Sequence, residues 1–130
     1  MEQRVSPDWI KVLEDNQVYV FGSNLAGAHG GGAARYAYEH FEAEWGVGVG
    51  PTGRCYAIPT MQGGVDTIRP YVEQFIEYAR QNTARVFLVT KIGCGIAGFT
   101  CKEIAPLFKS ALGLENVALP KEFIEILTEE

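Results

Sequence analysis

The sequence has few positive charges and no cluster of them. Its 130 residues carry 11 lysines and arginines against 16 aspartates and glutamates, which gives a formal net charge of −5. Non-specific binding to DNA or RNA depends on lysine and arginine contacts to phosphates, so this balance disfavours a nucleic-acid partner. A small anion needs no overall positive charge, because the N–H groups of a loop can hold it locally. The charge balance therefore still allows a nucleotide ligand.

Long apolar runs, internal repeats and a cysteine framework are also lacking. A transmembrane helix needs about 20 consecutive apolar residues, and the first residues lack the charged-then-apolar pattern of a secretion signal. The 3 cysteines have no paired spacing, which fits a reducing compartment, and they match no zinc-site spacing with the 2 histidines. We therefore expect a single cytoplasmic domain over residues 1–130, with no membrane partner, no metal and no cofactor.

What the sequence does contain is an alternation of strand-like and helix-like segments. Apolar runs predict strands at residues 17–21, 54–58, 85–90 and 115–119. Helical spacing predicts helices over about 33–41, 66–81 and 100–112, and from 120 onward. Helices longer than the strands they join imply parallel pairing through right-handed crossovers. The predicted fold class is α/β, a three-layer α/β/α sandwich around a mostly parallel central sheet.

Two further segments lie outside this alternation. Ser6, Pro7 and Asp8 are residue types typical of a helix N-terminus, so we expect a short helix from Ser6 to about residue 14. Residues 45–53 are rich in glycine and contain a proline, which predicts a loop without regular structure.

Three loops follow the ends of predicted strands, at residues 22–32, 59–64 and 93–99. Ligands of parallel sheets bind beyond the carboxyl ends of the strands, so we expect the three loops to line one site. The candidate ligand-binding residues are Gly22, Ser23, Asn24, Gly30, Gly31, Gly32, Thr60, Gly93, Cys94, Gly95, Ile96, Ala97, Gly98 and Phe99.

The loop at residues 93–99 lies between a predicted buried strand and a capping box, Thr100 with Glu103, that opens a helix. Glycines adopt positive φ without strain, and a helix N-terminus attracts an anion. The glycine run at residues 30–32 also precedes a predicted helix. We therefore predict that the two loops hold the two ends of one phosphate-containing ligand.

Two alternatives for the second loop stay open. Gly93, Gly95 and Gly98 match the dinucleotide fingerprint G-x-G-x-x-G, although the next predicted strand ends in Pro120 rather than in the acidic residue that the full fingerprint requires. Alternatively, the glycines serve only the tight packing of a helix on a strand.

Asn24 and His29 are the candidate catalytic residues. Asn24 can donate and accept, as recognition of a sugar hydroxyl requires, but the same side chain often bonds its own turn. His29 precedes the glycine run and is a candidate general acid or base, with a solvated loop histidine as the alternative.

Cys94 and Phe99 have alternative interpretations too. A cysteine near a helix N-terminus has a lowered thiol pKa, so one interpretation is a nucleophilic pair of Cys94 with His29. We favour the simpler interpretation, a small residue that fits between two glycines. Phe99 closes the loop, where its ring can stack on a ribose or a base.

The segment from Asn24 to Ala34 and the segment from Cys94 to Phe99 resemble two loops of the macro domain family, an ADP-ribose-binding α/β/α module. Cys94 stands where that family usually has a hydroxyl residue. The resemblance implies that Asn24 and Phe99 contact the distal ribose, with residues 30–32 beside it, and that residues 95–98 wrap the diphosphate. The likeness is to uncharacterised bacterial or phage macro-like proteins.

Two departures from the family bear on activity. Its hydrolases usually have an aspartate just after the first glycine run, where this chain has Ala33, Ala34 and Arg35. The acidic residue that usually contacts the adenine has no clear counterpart in residues 1–16. The leading hypothesis is therefore binding of ADP-ribose or a related NAD-derived nucleotide. Hydrolysis of an ADP-ribosyl or phosphoester bond in the same pocket is the second, and an interaction protein without a nucleotide ligand is the third.

Overall fold

The computed structural model describes residues 3–94 and 97–129. Over these residues the chain forms an α/β fold on one mixed sheet of six strands, as the predicted class requires. The strands are β1 (Arg4–Ser6), β2 (Gln17–Ser23), β3 (Gly50–Thr52), β4 (Cys55–Pro59), β5 (Val86–Val89) and β6 (Val117–Pro120). The helices are α1 (Gly32–His40), α2 (Val65–Gln81), α3 (Cys101–Ile104) and α4 (Lys121–Thr128), and a 3-10 helix, Ala105–Ala111, continues α3.

The strand order across the sheet is β1-β6-β5-β2-β4-β3. Every pair is parallel except β3 with β4, which is antiparallel at one edge. The carboxyl ends of β1, β6, β5, β2 and β4 therefore lie along one edge of the sheet, where parallel sheets bind their ligands. In the described part of the chain, no helix has both the length and the apolar character needed to cross a bilayer.

The sheet buries side chains on both faces. In β2, Val18 and Val20 join a hydrophobic cluster with residues of α2, the 3-10 helix and α4. Tyr19 and Phe21 point the other way, because successive strand residues alternate between faces, and they join a second cluster with residues of α1. Burial on both faces explains why β2 and β5 have continuous apolar runs rather than alternating ones.

The helix predicted from Ser6 is wrong. Residues 4–6 form β1, which pairs with β6 with Ser6 opposite Pro120, and residues 7–16 contain no helix. Proline restricts the residue before it to extended backbone, so Ser6-Pro7 suits a strand end better than a helix cap. The Ser6 hydroxyl is buried and donates to the carbonyl oxygen of Val89, 2.7 Å away, which fixes β1 to the end of β5.

The loop predicted at residues 45–53 is also wrong near its end, because residues 50–52 form the edge strand β3. Pro51 lies opposite Tyr56 in the antiparallel pair with β4. An edge strand tolerates proline, since one side of the strand needs no ladder hydrogen bonds. Gly50 has φ +85°, which lets the chain turn into the strand.

The capping box before α3 is confirmed. The Thr100 hydroxyl accepts from the Glu103 backbone N–H at 3.3 Å, and the Glu103 carboxylate accepts from the Thr100 N–H at 2.9 Å. The helix predicted over residues 100–112 divides into the four-residue α3 and a 3-10 helix. Pro106 explains the change, because it has no N–H to donate to the carbonyl of the preceding helical turn.

Candidate functional site

A cleft of about 960 Å³ opens at the edge of the sheet where the parallel strands end. This volume lies within the range of about 300–1,000 Å³ that is typical of small-molecule sites. Segments that follow β1, β2, β4 and β5 line it, together with the end of β6. The three loops predicted to meet therefore contribute to one cleft. The predicted site residues in its walls are Gly22, Ser23, Asn24, Gly30, Gly31, Gly32, Thr60, Gly93 and Ala97.

The three predicted segments approach one another around Gly22. A methyl group placed there would lie 3.4 Å from the backbone nitrogen of Gly93 and 3.4 Å from the Thr60 side chain. The Thr60 N–H donates to the Ser23 carbonyl at 2.8 Å, which holds the ends of β2 and β4 together. The Ser23 hydroxyl donates to the Gly48 carbonyl at 2.5 Å. Both hydroxyl residues are buried, and their hydrogen bonds fix the backbone around the cleft.

Asn24 bonds its own loop. Its Oδ1 accepts from the Ala28 N–H and its Nδ2 donates to the Ala28 carbonyl, both at 2.9 Å. The turn-residue alternative is therefore observed, and it shapes the chain just before the glycine run. Asn24 also lines the cleft, and its amide has a second N–H and a second acceptor lone pair for a ligand.

The glycine run leads into α1 with its N-terminus exposed to the cleft. α1 begins at Gly32, its N-cap is Gly31, no side chain caps it and its first turn has no acidic residue. Residues 30–34 all line the cleft, and a methyl group at Gly30 would have no heavy atom within 4 Å. The first N–H groups of a helix have no partner within the helix, so this arrangement suits an anion.

His29 is buried beneath the loop, with only 1 % of its surface exposed, and does not line the cleft. Its Nε2 lies 2.9 Å from the Glu44 carbonyl oxygen, so Nε2 is the donor and Nδ1 carries no proton in the neutral ring. The ring packs edge-on against Phe21 and Trp45, with centroid distances of 5.4 and 5.9 Å. The solvated-histidine interpretation is wrong, and the geometry gives no support to a catalytic role.

The second glycine loop is described only in part, since Gly95 and Ile96 lie outside the described residues. Gly93 and Ala97 line the cleft, whereas Gly98 and Phe99 do not. The Phe99 N–H donates to the Gly93 carbonyl at 2.8 Å, and the Phe99 ring packs against the core cluster of α2 and α4. The predicted contact of Phe99 with a ribose therefore gains no support from its position.

Gly93 is required by backbone conformation and by space. Its φ is +75°, which side-chain-bearing residues rarely adopt. A methyl group there would lie 3.0 Å from Cδ1 of Ile104, a buried residue of α3. Gly93 thus lets the chain leave β5 along the cleft wall while α3 packs closely behind it.

Cys94 does not have the lowered thiol pKa of a catalytic nucleophile. Burial raises the pKa of its thiol to about 12, and the neighbouring Cys101 sulfur acts in the same direction. The expected lowering of this pKa is therefore wrong. Cys94 does not line the cleft, and its thiol donates to the Ile92 carbonyl at 3.4 Å.

The sequence analysis missed the wall of the cleft formed by residues 6–11. Asp8 and Trp9 lie there, and the Trp9 side chain is 83 % exposed. An Asp8 carboxylate oxygen lies 3.9 Å from Nζ of Lys91, which also pairs with Glu122 at 2.5 Å. That hydrogen bond to Glu122 is the main reason why the pKa of Lys91 is raised. Recognising Ser6-Pro7 as a strand end would have placed Asp8 and Trp9 at the edge of the sheet where the cleft opens.

No protein-family model, curated protein or solved structure matches this chain. Within the described residues, 3–94 and 97–129, no group of three or more histidine, cysteine, aspartate or glutamate side chains is arranged to hold a metal ion. The functional argument therefore depends on the cleft and on the residues in its walls.

Proposed function

We propose that this chain binds ADP-ribose or a related NAD-derived nucleotide in the cleft, as a three-layer α/β/α domain of the macro-domain type. The observation that carries the proposal is that the glycine run after β2 and Gly93 after β5 line the same cleft. Backbone N–H groups in such loops bind phosphate oxygens without any need for basic side chains. This mode of binding agrees with a chain whose formal net charge is −5.

The N-terminus of α1 supports a phosphate in this part of the cleft. Its first turn has neither a capping side chain nor an acidic residue, so its N–H groups and its positive dipole end are available to an anion. Lys91 also lines the cleft, where its ammonium pairs with Asp8 and Glu122. The Asn24 amide beside the glycine run is suited to a ribose hydroxyl.

Asp8 and Trp9 support an aromatic base in the wall formed by residues 6–11. A carboxylate accepts a hydrogen bond from the amino group of a base, and Asp8 follows the early strand β1. The indole of Trp9 is a large apolar surface that stays 83 % exposed beside the cleft. Stacking of a base on an aromatic ring contributes about 1–3 kcal/mol. Asp8 is therefore our candidate for the acidic contact that the sequence analysis did not find.

Binding without turnover fits the residues better than hydrolysis. His29, the predicted general acid or base, is buried and does not line the cleft. The residues after the glycine run are alanines rather than the aspartate typical of the family's hydrolases. Among the described cleft residues the ionisable side chains are Asp8, Lys11, Tyr19, Tyr36 and Lys91.

Calorimetric titration of the full chain with ADP-ribose, AMP and ribose 5-phosphate tests this proposal. We expect ADP-ribose to bind at least tenfold more tightly than either fragment, because only it spans both loops, and to be recovered intact by chromatography. At a hundred times its Kd it should stabilise the fold by about 2.7 kcal/mol, a rise in Tm on the order of 10 °C. Absence of binding would refute the proposal, and recovery of cleaved ligand would favour the hydrolase.

A further inference from the structure

Two thiols are in contact at the ends of the second glycine loop. Cys94 lies just before its undescribed residues, Cys101 is the first residue of α3, and their Sγ atoms are 3.6 Å apart. Both thiols are free and half-buried. The third cysteine, Cys55, is buried in β4, where its thiol donates to the Phe41 carbonyl at 3.4 Å.

This geometry suits a disulfide bond. Two cysteines can be joined without backbone rearrangement only where their side chains already face each other, and these two thiols share a hydrogen bond. A disulfide has an S–S distance of about 2.05 Å, so from 3.6 Å the sulfur atoms must approach by about 1.6 Å. Rotation of the two half-buried side chains supplies that movement.

We propose that Cys94 and Cys101 are a modification site at which a low-molecular-weight disulfide oxidises the pair to a reversible intramolecular disulfide. The Cys101 thiolate attacks one sulfur of the small disulfide. A new S–S bond forms between Cys101 and that sulfur, and the S–S bond of the small disulfide breaks. The other half leaves as a thiolate and takes up the proton that Cys101 released. The Cys94 sulfur then attacks the Cys101 sulfur of this mixed disulfide, and the second small thiol leaves with the Cys94 proton. The protein dithiol loses two electrons, and the small disulfide gains them as two thiols.

The bond changes the wall of the cleft. Gly93 lines the cleft and is joined directly to Cys94, whereas Cys101 belongs to α3, which packs against the core cluster of α2 and α4. Drawing Cys94 toward Cys101 therefore moves Gly93 in the wall of the cleft. If the proposed function holds, the oxidised protein binds ADP-ribose more weakly, and bound ligand slows the oxidation by the same coupling.

One tryptic peptide reports on the site. Cleavage after Lys91 and Lys102 releases residues 92–102 with both cysteines, while Cys55 lies in a different peptide and serves as an internal control. The full chain is incubated with oxidised glutathione, alkylated under denaturing conditions without reductant, digested and weighed. Before oxidation we expect peptide 92–102 to carry two alkyl groups. After oxidation it should carry none, and its mass should be lower than that of the reduced, unalkylated peptide by two hydrogens. Cys55 should be alkylated in both samples. Dithiothreitol should restore both alkylation sites.

Peptide 92–102 still fully alkylated, or carrying glutathione as the stable product, would overturn the proposal. Cys94→Ser provides the matched control, because it leaves Cys101 to form a mixed disulfide with glutathione but no internal bond. Titration of the oxidised and reduced proteins with ADP-ribose then tests the coupling, with at least a threefold loss of affinity expected on oxidation. Equal ADP-ribose affinities of the oxidised and reduced proteins would overturn the coupling. If the reduced protein does not bind ADP-ribose at all, the proposed function is refuted, while the disulfide shown by peptide 92–102 stands.

Discussion

Replacing Gly30 by glutamate tests most directly whether an anion occupies the cleft beside α1. Gly30 lines the cleft, its φ is not positive, and an added Cβ would meet no atom within 4 Å, so the fold accommodates a side chain there. The new carboxylate would extend into the space beside the N-terminus of α1. We therefore expect Gly30→Glu to fold normally and to bind ADP-ribose weakly.

The size of the expected loss of affinity follows from the repulsion between the new carboxylate and a phosphate of the ligand. At a separation of about 4 Å it is about 1 kcal/mol in bulk water and about 4 kcal/mol at the effective dielectric of a protein surface. Since about 1.4 kcal/mol corresponds to a factor of ten, the affinity should fall between roughly fivefold and roughly 800-fold. Because the added carboxylate is exposed, higher ionic strength should recover part of the lost affinity.

Gly64→Glu is the matched control for this experiment. Gly64 is the N-cap of α2, its φ is −76°, an added Cβ would also meet no atom within 4 Å, and it does not line the cleft. One added carboxylate changes the formal net charge from −5 to −6 in both variants, so overall charge cannot explain a difference between them. Calorimetry measures the ADP-ribose affinity of each variant, and thermal unfolding shows whether each variant is folded. Equal ADP-ribose affinities for the two folded variants would refute the phosphate assignment.

Three further predictions concern the base and the buried histidine. In a Trp45→Phe protein, Trp9 is the remaining tryptophan, and ADP-ribose but not ribose 5-phosphate should quench its emission; unchanged tryptophan emission at saturation would exclude stacking. Asp8→Ala should weaken ADP-ribose binding about tenfold while leaving affinity for the hypoxanthine analogue unchanged, since a hydrogen bond to a charged group contributes about 1.5–3 kcal/mol. His29→Ala should lower the free energy of unfolding by about 2–4 kcal/mol in urea titrations, with ligand affinity within about twofold. Normal stability combined with lost ligand turnover would instead make His29 catalytic.

Local patterns predicted the elements around the second glycine loop well. The run before residue 90 is a buried strand, and the capping box of Thr100 and Glu103 opens a helix as expected. Both depend on residues a few positions apart, whose chemistry is visible in the sequence. The meeting of three loops in one cleft follows from a general property of parallel sheets rather than from any pairwise contact.

The sequence analysis failed where distant contacts decide the structure. Ser6 belongs to a strand because β6, more than a hundred residues further along the chain, pairs with it. His29 is buried because the Glu44 carbonyl and the rings of Phe21 and Trp45 enclose it, and the local pattern of a polar, glycine-rich loop gives no sign of this. The contact between Cys94 and Cys101 likewise depends on how the loop folds back to α3.

The most direct test of the central claim is a nuclear magnetic resonance titration of the isotope-labelled chain with ADP-ribose. Backbone amide signals report each N–H separately, and phosphate binding through the glycine loops must perturb those of Gly30, Gly31, Gly32 and Gly93. We expect these shifts to be the largest, with Asp8 and Trp9 also affected and the C-terminal half of α2 unchanged. Saturable binding that leaves the glycine amides unmoved, or no shift at millimolar ligand, would contradict the account.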